Sequence, residues 1–153
     1  MARANFAAMP KRAPAGYSGK TLSEKLGIRA GMCLAAVGAP RGYPGWLAPL
    51  PAGVAVVSRA SARADVLHCF VETRGELERR VARLNRVLRD DAALWVSWPK
   101  KSSGRPTDLT EGALREVVLP LGLVDVKVCA VDATWSGLKF VRRLRHRRRP
   151  SPA

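Results

Sequence analysis

Residues that could bind a small ligand are concentrated in the last third of the chain, in two groups. The first combines lysine ammonium groups, a serine hydroxyl and an arginine guanidinium, and the second combines an aspartate, a tryptophan, a serine and a lysine. Cationic and hydroxyl groups in one loop suit an anion, and polar groups beside an aromatic ring suit a small pocket. The candidate ligand-binding residues are Lys100, Lys101, Ser102, Arg105, Asp132, Trp135, Ser136 and Lys139.

The first group makes residues 100–105 a candidate anion-binding loop. Asp108, with Glu111 three residues later, predicts a helix N-terminus close behind this loop. The loop is not a Walker loop, because Gly104 follows the lysines instead of preceding them. A solvated basic loop explains the same composition equally well.

The second group surrounds a predicted hairpin turn. One interpretation is a polar pocket with Trp135 as its wall. The favoured alternative is turn chemistry, in which Asp132 and Ser136 bond the backbone, Gly137 adopts unusual dihedral angles and Trp135 packs on the sheet edge.

No complete catalytic or metal-binding set is evident. Cys33, Cys69 and Cys129 are widely spaced within apolar runs, which indicates buried thiols in a reducing compartment and no metal site. His68 lies in the middle of an apolar run and His146 in an arginine-rich tail, and neither has an evident nucleophile or carboxylate partner. We therefore expect no catalytic residues and no metal.

The elements that must position these residues follow from hydrophobic patterning. Thr21 and Glu24 form a capping box that predicts a short helix ending at Gly27. Apolar runs predict buried strands at 32–37, 54–57, 66–71 and 93–97, with a loop at 38–51. Helices are expected at 74–89 and from Asp108 to about Leu119, and a hairpin at 123–131 and 137–142. The fold class is α/β: a single small Rossmann-like three-layer sheet, mostly parallel, with a C-terminal antiparallel hairpin.

Positive charge is concentrated at the two ends of the chain. The formal net charge is +15, and residues 1–20 and 142–153 contain no acid. We expect disordered basic segments at 1–16 and 144–153 around an α/β domain at 17–143. The arginines between Arg142 and Arg149 could attract a polyanion or nucleic acid, although a solvated tail is the simpler interpretation. No apolar run reaches the length of a membrane span and no signal peptide is evident, so a cytoplasmic protein is expected.

Several segments resemble a family of small bacterial proteins of unknown function. They are YSG at 17–19, KLGIRAGM at 25–32, WVSWPKK at 95–101, TDLTEGALREVVLPLGLVD at 107–125 and KVCAVDATWSGLKFVRR at 127–143. The resemblance implies no activity. More distantly, the element order is similar to a shortened class I methyltransferase-like Rossmann sheet, which is an analogy of fold alone.

The segments after the predicted strands argue against an adenosine cofactor. Gly38, Gly42 and Gly45 lack the spacing of a dinucleotide fingerprint, and Ser58 and Arg59 stand where a carboxylate would bind ribose hydroxyls. We therefore expect no cofactor and a non-catalytic cytoplasmic protein that binds a partner or small anionic ligand at the strand-end face. The alternatives are a divergent adenosine-cofactor-dependent transferase and a nucleic-acid-associated protein that acts through its basic ends.

Overall fold

A computed structural model describes residues 19–144. Six strands form one sheet in the order β2-β1-β3-β4-β6-β5. The strands are β1 Cys33–Val37, β2 Ala55–Val57, β3 Val66–Phe70, β4 Ala93–Pro99, β5 Leu123–Ala130 and β6 Trp135–Arg142. The first four pair in parallel, and β6 pairs antiparallel with both β4 and β5. This arrangement confirms the predicted α/β sheet with a terminal hairpin.

Helices cover both faces of the sheet. They are α1 Leu22–Leu26, α2 Tyr43–Leu47, α3 Arg74–Val87 and α4 Glu111–Val118. One core layer holds the apolar side chains of α3 and α4, including Leu77, Val81 and Leu114. The other holds those of α1 and α2, including Leu26 and Tyr43. Because each face of β3 and β4 meets a helix layer, all five residues of β3 are buried.

The first helix forms as its sequence predicts. The Thr21 hydroxyl accepts from the Glu24 N–H, and the Glu24 carboxylate accepts from the Thr21 N–H at 2.9 Å. Gly27 ends the helix in the left-handed conformation. Lys25 is buried and donates from Nζ to the carbonyl oxygen of Ala130 at 2.9 Å, which ties α1 to the end of β5.

Three element predictions are wrong in detail. The loop predicted at 38–51 contains α2, which tolerates a proline in its first turn because the N–H there has no helical partner. The strand predicted as buried at 54–57 is an exposed edge strand, because β1 is its only neighbour in the sheet. Strand β4 continues to Pro99 instead of stopping before it.

The helix predicted from Asp108 begins later than expected. Its N-cap is Thr110, whose hydroxyl accepts from the Ala113 N–H at 3.1 Å. Asp108 instead accepts from the Arg74 N–H at 2.8 Å, at the first residue of α3. The loop at 100–105 is thus separated from α4, and the predicted union of basic loop and helix N-terminus does not occur.

Several predictions concern parts of the chain that the structure does not describe. Except for Leu144, the expected disordered segments 1–16 and 144–153 lie outside the described residues, as does His146. Within residues 19–144, no helix combines the length and apolar character that a bilayer crossing needs. The same stretch contains no cluster of three or more metal-ligating side chains.

Candidate functional site

The chain changes direction at the carboxyl ends of β1 and β3. After β1 it crosses through α2 on one face of the sheet, and after β3 it crosses through α3 on the other. The two strands are direct neighbours, with Val37 opposite Cys69. In open parallel sheets, ligands bind in the crevice that opens where adjacent crossovers diverge in this way. This crevice between β1 and β3 is the candidate site, and we call it the switch-point cleft.

Gly38 forms the β1 side of the switch-point cleft. Its φ of 71° is in the left-handed region, which residues other than glycine rarely adopt. A Cβ atom here would lie 3.1 Å from the Phe70 carbonyl oxygen and still closer to Nη1 of Arg80. Glycine is therefore required at this position by both its backbone angle and its surroundings.

Arg80 of α3 supplies the cation that lies against Gly38. Its Nη1 donates to the Phe70 carbonyl oxygen at 2.5 Å, and its Nη2 lies 3.4 Å from a carboxylate oxygen of Glu76. The side chain keeps 32% of its surface exposed. The other Glu76 oxygen accepts from the Glu72 N–H at 2.8 Å. One guanidinium and one carboxylate are thus fixed to the backbone at the carboxyl end of β3.

A second cluster lies beside the cleft and contains residues from both predicted groups. Arg105 donates to Glu72 from Nε at 3.0 Å and from Nη2 at 2.5 Å. Its guanidinium carbon lies 5.3 Å from the centre of the Trp135 ring. The Thr107 hydroxyl donates to the Glu72 carbonyl oxygen at 2.7 Å. Because of these contacts, the loop after β4 is anchored to Glu72, two residues after the end of β3.

The hairpin turn meets the same loop. The Lys100 N–H donates to the Thr134 carbonyl oxygen at 2.7 Å. Asp132 accepts from the Thr134 and Trp135 N–H groups, each at 2.8 Å, as the turn interpretation predicts. The structure therefore brings Lys100, Arg105, Asp132 and Trp135 to one place.

The remaining candidates lie apart from this cluster. Lys101 and Ser102 are exposed in a 3₁₀ turn, Lys101–Ser103. Ser136 pairs with Trp98 inside the sheet, and Lys139 pairs with Trp95 in the middle of β6. The role of all eight candidates in ligand binding stays a prediction.

Two details of the turn interpretation are wrong. Trp135 is a buried core residue, 5.1 Å from the Phe70 ring, and does not lie on the sheet edge. Gly137 is a strand residue without a positive φ. Its small size is needed instead, because a Cβ atom would come within 3.1 Å of Val131 and 3.3 Å of Trp95.

A buried polar chain that the sequence did not predict lies beneath the cleft. The Tyr43 hydroxyl lies 2.7 Å from Nδ1 of His68, and the Ser97 hydroxyl lies 2.7 Å from Nε2. Complete burial lowers the pKa of His68 to about 3, and burial raises the pKa of Tyr43 above its usual value. The imidazole is neutral at physiological pH and has both nitrogens occupied, so it connects α2, β3 and β4 and does not act as a base. The only sequence signal was a polar residue inside each of two apolar strands.

An open groove of about 620 Å³ lies at the opposite edge of the sheet. The C-terminal end of α3, the 3₁₀ turn Leu119–Leu121 and Arg142 line it. Arg142 is held there by Asn85, by the Leu88 carbonyl oxygen and by Asp90. Parallel α/β sheets bind ligands at the carboxyl edge, so this groove is the weaker candidate despite its size. Arg142 is the first residue of the predicted polyanion-binding segment, and this packing leaves only 13% of its side chain exposed.

Comparisons with known proteins identify the fold. No family model and no curated protein matches the chain, so the resemblance to a bacterial family of unknown function stays a prediction. Among solved structures, the chain resembles a protein described as a type 11 methyltransferase from Sulfolobus solfataricus, with a TM-score of 0.58 and 11% identity over 86% of this chain and 95% of that one. It also resembles a SAM-dependent methyltransferase from Aquifex aeolicus, with a TM-score of 0.57 and 16% identity over 76% and 85% of the two chains.

A third similar structure contains a bound ligand. It is the fibrillarin of Aeropyrum pernix with natively bound S-adenosyl-L-methionine (SAM), with a TM-score of 0.51 and 11% identity over 78% of this chain and 73% of that one. At such identities the likeness establishes a methyltransferase-like Rossmann fold and nothing finer. The prediction of a non-catalytic binding protein is nevertheless wrong as the leading interpretation, because these neighbours favour the transferase alternative.

Proposed function

We propose that this protein is a divergent methyltransferase that binds SAM in the switch-point cleft. The observation that carries the proposal is the placement of Gly38, in the left-handed conformation, at the crevice between β1 and β3 of a methyltransferase-like sheet. The sequence argument against a cofactor depended on the spacing of three glycines. Only one glycine needs to lie at the crevice for a ligand to approach the backbone there.

The residues around the cleft fit SAM in charge. Its amino-acid end carries a carboxylate and an ammonium group, and the cleft presents a guanidinium from Arg80 and carboxylates from Glu72 and Glu76. One feature differs from the expected pattern. Ser58 and Arg59 follow β2, so a ribose hydroxyl would have no carboxylate partner on that side.

Bound SAM would supply an electrophilic methyl group on a sulfonium that leaves as a neutral thioether. The protein's own part is to bind and orient the reactants. Arg105 and Glu72 hold the loop after β4 beside the cleft, with the Arg105 guanidinium over the Trp135 ring. The candidate proton acceptors near the cleft are carboxylates, because burial lowers the pKa of His68 to about 3 and both of its ring nitrogens are hydrogen-bonded.

The proposal is tested by thermal unfolding with millimolar SAM and, separately, S-adenosylhomocysteine. A ligand that binds only the folded state stabilises it by about 2.7 kcal/mol at one hundred times its dissociation constant. We expect stabilisation by both compounds and none by NAD. Absence of any shift in a folded sample would contradict the proposal.

A pair of glycine variants locates the site. Gly38→Ala places a methyl group against Arg80 and Phe70 and should abolish the shift. Gly45→Ala is the matched control, since a Cβ atom at Gly45 would meet nothing within 4 Å. Equal shifts in the two variants would place the cofactor elsewhere.

A further inference from the structure

The guanidinium of Arg80 lies at the switch-point cleft, against Gly38 and the Phe70 carbonyl oxygen. We propose that Arg80 binds the carboxylate of the amino-acid end of SAM, so that the cleft selects ligands that carry this carboxylate. The inference rests on the proposed function and adds to it the residue that reads one chemical group of the cofactor.

Geometry is the first support. Arg80 reaches across from α3 to the carboxyl end of β3 and lies against the Gly38 backbone of β1. It therefore touches both strands that flank the cleft. Other arginines of α3, such as Arg83, are exposed and have no recorded ion pair among the described residues.

Unused hydrogen-bonding capacity is the second support. A guanidinium has five N–H donors, arranged so that two of them can bind one carboxylate. Arg80 has two partners: the Phe70 carbonyl oxygen and the Glu76 carboxylate. Since a third of the side chain is exposed, donors remain for a ligand.

The state of Glu76 is the third support. Its ion pair with Arg80 is long, at 3.4 Å, while its other oxygen is held at 2.8 Å by the Glu72 N–H. Glu76 thus holds Arg80 in position without neutralising it through a short bidentate pair. An incoming carboxylate can bind the remaining N–H donors of Arg80 without displacing Glu76.

A purely structural role for Arg80 would have a different consequence. The Nη1 bond to Phe70 fastens α3 to β3, so its loss lowers stability whatever the ligand. Only a carboxylate-reading role changes the preference between two ligands that differ in that group alone. SAM and decarboxylated SAM are such a pair, because both retain the adenosine, the sulfonium and the amine.

The test measures the affinities of both ligands by calorimetry for the full chain and its variants. We expect the unmodified protein to prefer SAM by about tenfold or more, as charged hydrogen bonds contribute. Arg80→Met should remove this preference by weakening SAM alone. Arg80→Lys keeps the charge without the planar fork and should retain part of it. Arg83→Ala is the matched control and should leave the ratio unchanged.

The other outcomes contradict either the role of Arg80 or the proposed function. If Arg80→Met keeps the same preference, or binds SAM more tightly, Arg80 does not read the carboxylate and the proposed function still stands. If Arg80→Met does not fold, an unchanged ratio in Arg80→Lys has the same meaning. If the unmodified protein binds neither ligand, the proposed function fails and this inference fails with it.

Discussion

Arg80 and Arg142 lie at opposite edges of one sheet, and they differ in how completely they are paired. Arg142 bonds the Asn85 side chain at 2.6 Å and the Leu88 carbonyl oxygen at 2.7 Å, lies 3.4 Å from Asp90, and keeps 13% of its side chain exposed. Arg80 has one short bond to a carbonyl and one long ion pair, and keeps 32% exposed. The arginine at the amino edge is therefore more completely paired and less exposed, although it lines an open groove, while the carboxyl edge keeps a cation that solvent and ligands can reach.

Replacing each arginine in turn tests this difference in pairing most directly. Arg142→Ala leaves Asp90, the Asn85 side chain and a carbonyl at the end of α3 without their cation. We expect its free energy of unfolding to fall by about 3 kcal/mol. Arg80→Met keeps an apolar stem and should lose only about 1 kcal/mol. Urea denaturation measures both, and equal losses would show that the two edges are built alike.

Mildly acidic pH should lower the free energy of unfolding because of His68, which is buried beneath the carboxyl edge. His68 is neutral in the fold, where burial lowers its pKa to about 3, whereas an unfolded histidine protonates near pH 6.5. A base with a lowered folded pKa costs stability as pH falls below the unfolded value. Between pH 7.5 and pH 5 the loss from this residue is about 2 kcal/mol.

The His68→Gln variant isolates this effect. It should be much less sensitive to pH over the same interval, as measured by urea denaturation at each pH. His146→Gln changes the chain's other histidine and serves as the control. Undiminished acid sensitivity in His68→Gln would show that the buried imidazole is not its source.

Asp65, at the amino edge, should lose its contribution to stability only at lower pH, and the loss should be smaller than that from His68. Hydrogen bonding from Arg89, and then from the Cys33 N–H, lowers the pKa of Asp65. A carboxylate with a lowered pKa stabilises the fold above the unfolded value, near 3.9, and that contribution is lost as pH falls through the folded value. Asp65→Asn should therefore be less stable than the unmodified protein at pH 6, with a difference that shrinks below pH 4. A constant difference would indicate that titration of Asp65 is not involved.

Local signals in the sequence predicted most of the fold. The capping box at Thr21, the apolar runs of β1 and β3, and the stripe of Leu77, Val81 and Leu84 each specify an element through short-range chemistry, and the structure confirms them. Strand β2 was mistaken for a buried strand because burial depends on its place in the sheet order, which hydrophobicity alone does not reveal.

The site was harder to predict because its contacts join distant segments. His68 and Ser97 meet only when β3 and β4 are paired in register, and Glu72 meets Arg105 across a whole helix and strand. Arg80 had a local signal that the sequence analysis did not use. It is three residues after Leu77 and next to Val81, so it borders the apolar stripe that faces the sheet, unlike the outward-facing Arg83.

The strand order β4-β6-β5 determines when β5 can join the sheet. Among the strands of residues 19–144, β5 pairs only with β6, although β5 comes first along the chain. During synthesis β5 therefore emerges with no partner to join, carrying exposed Val126 and Val128. Its backbone groups stay in water until β6 pairs with it, so the two strands are expected to form the hairpin first and to dock on β4 as one preformed ribbon.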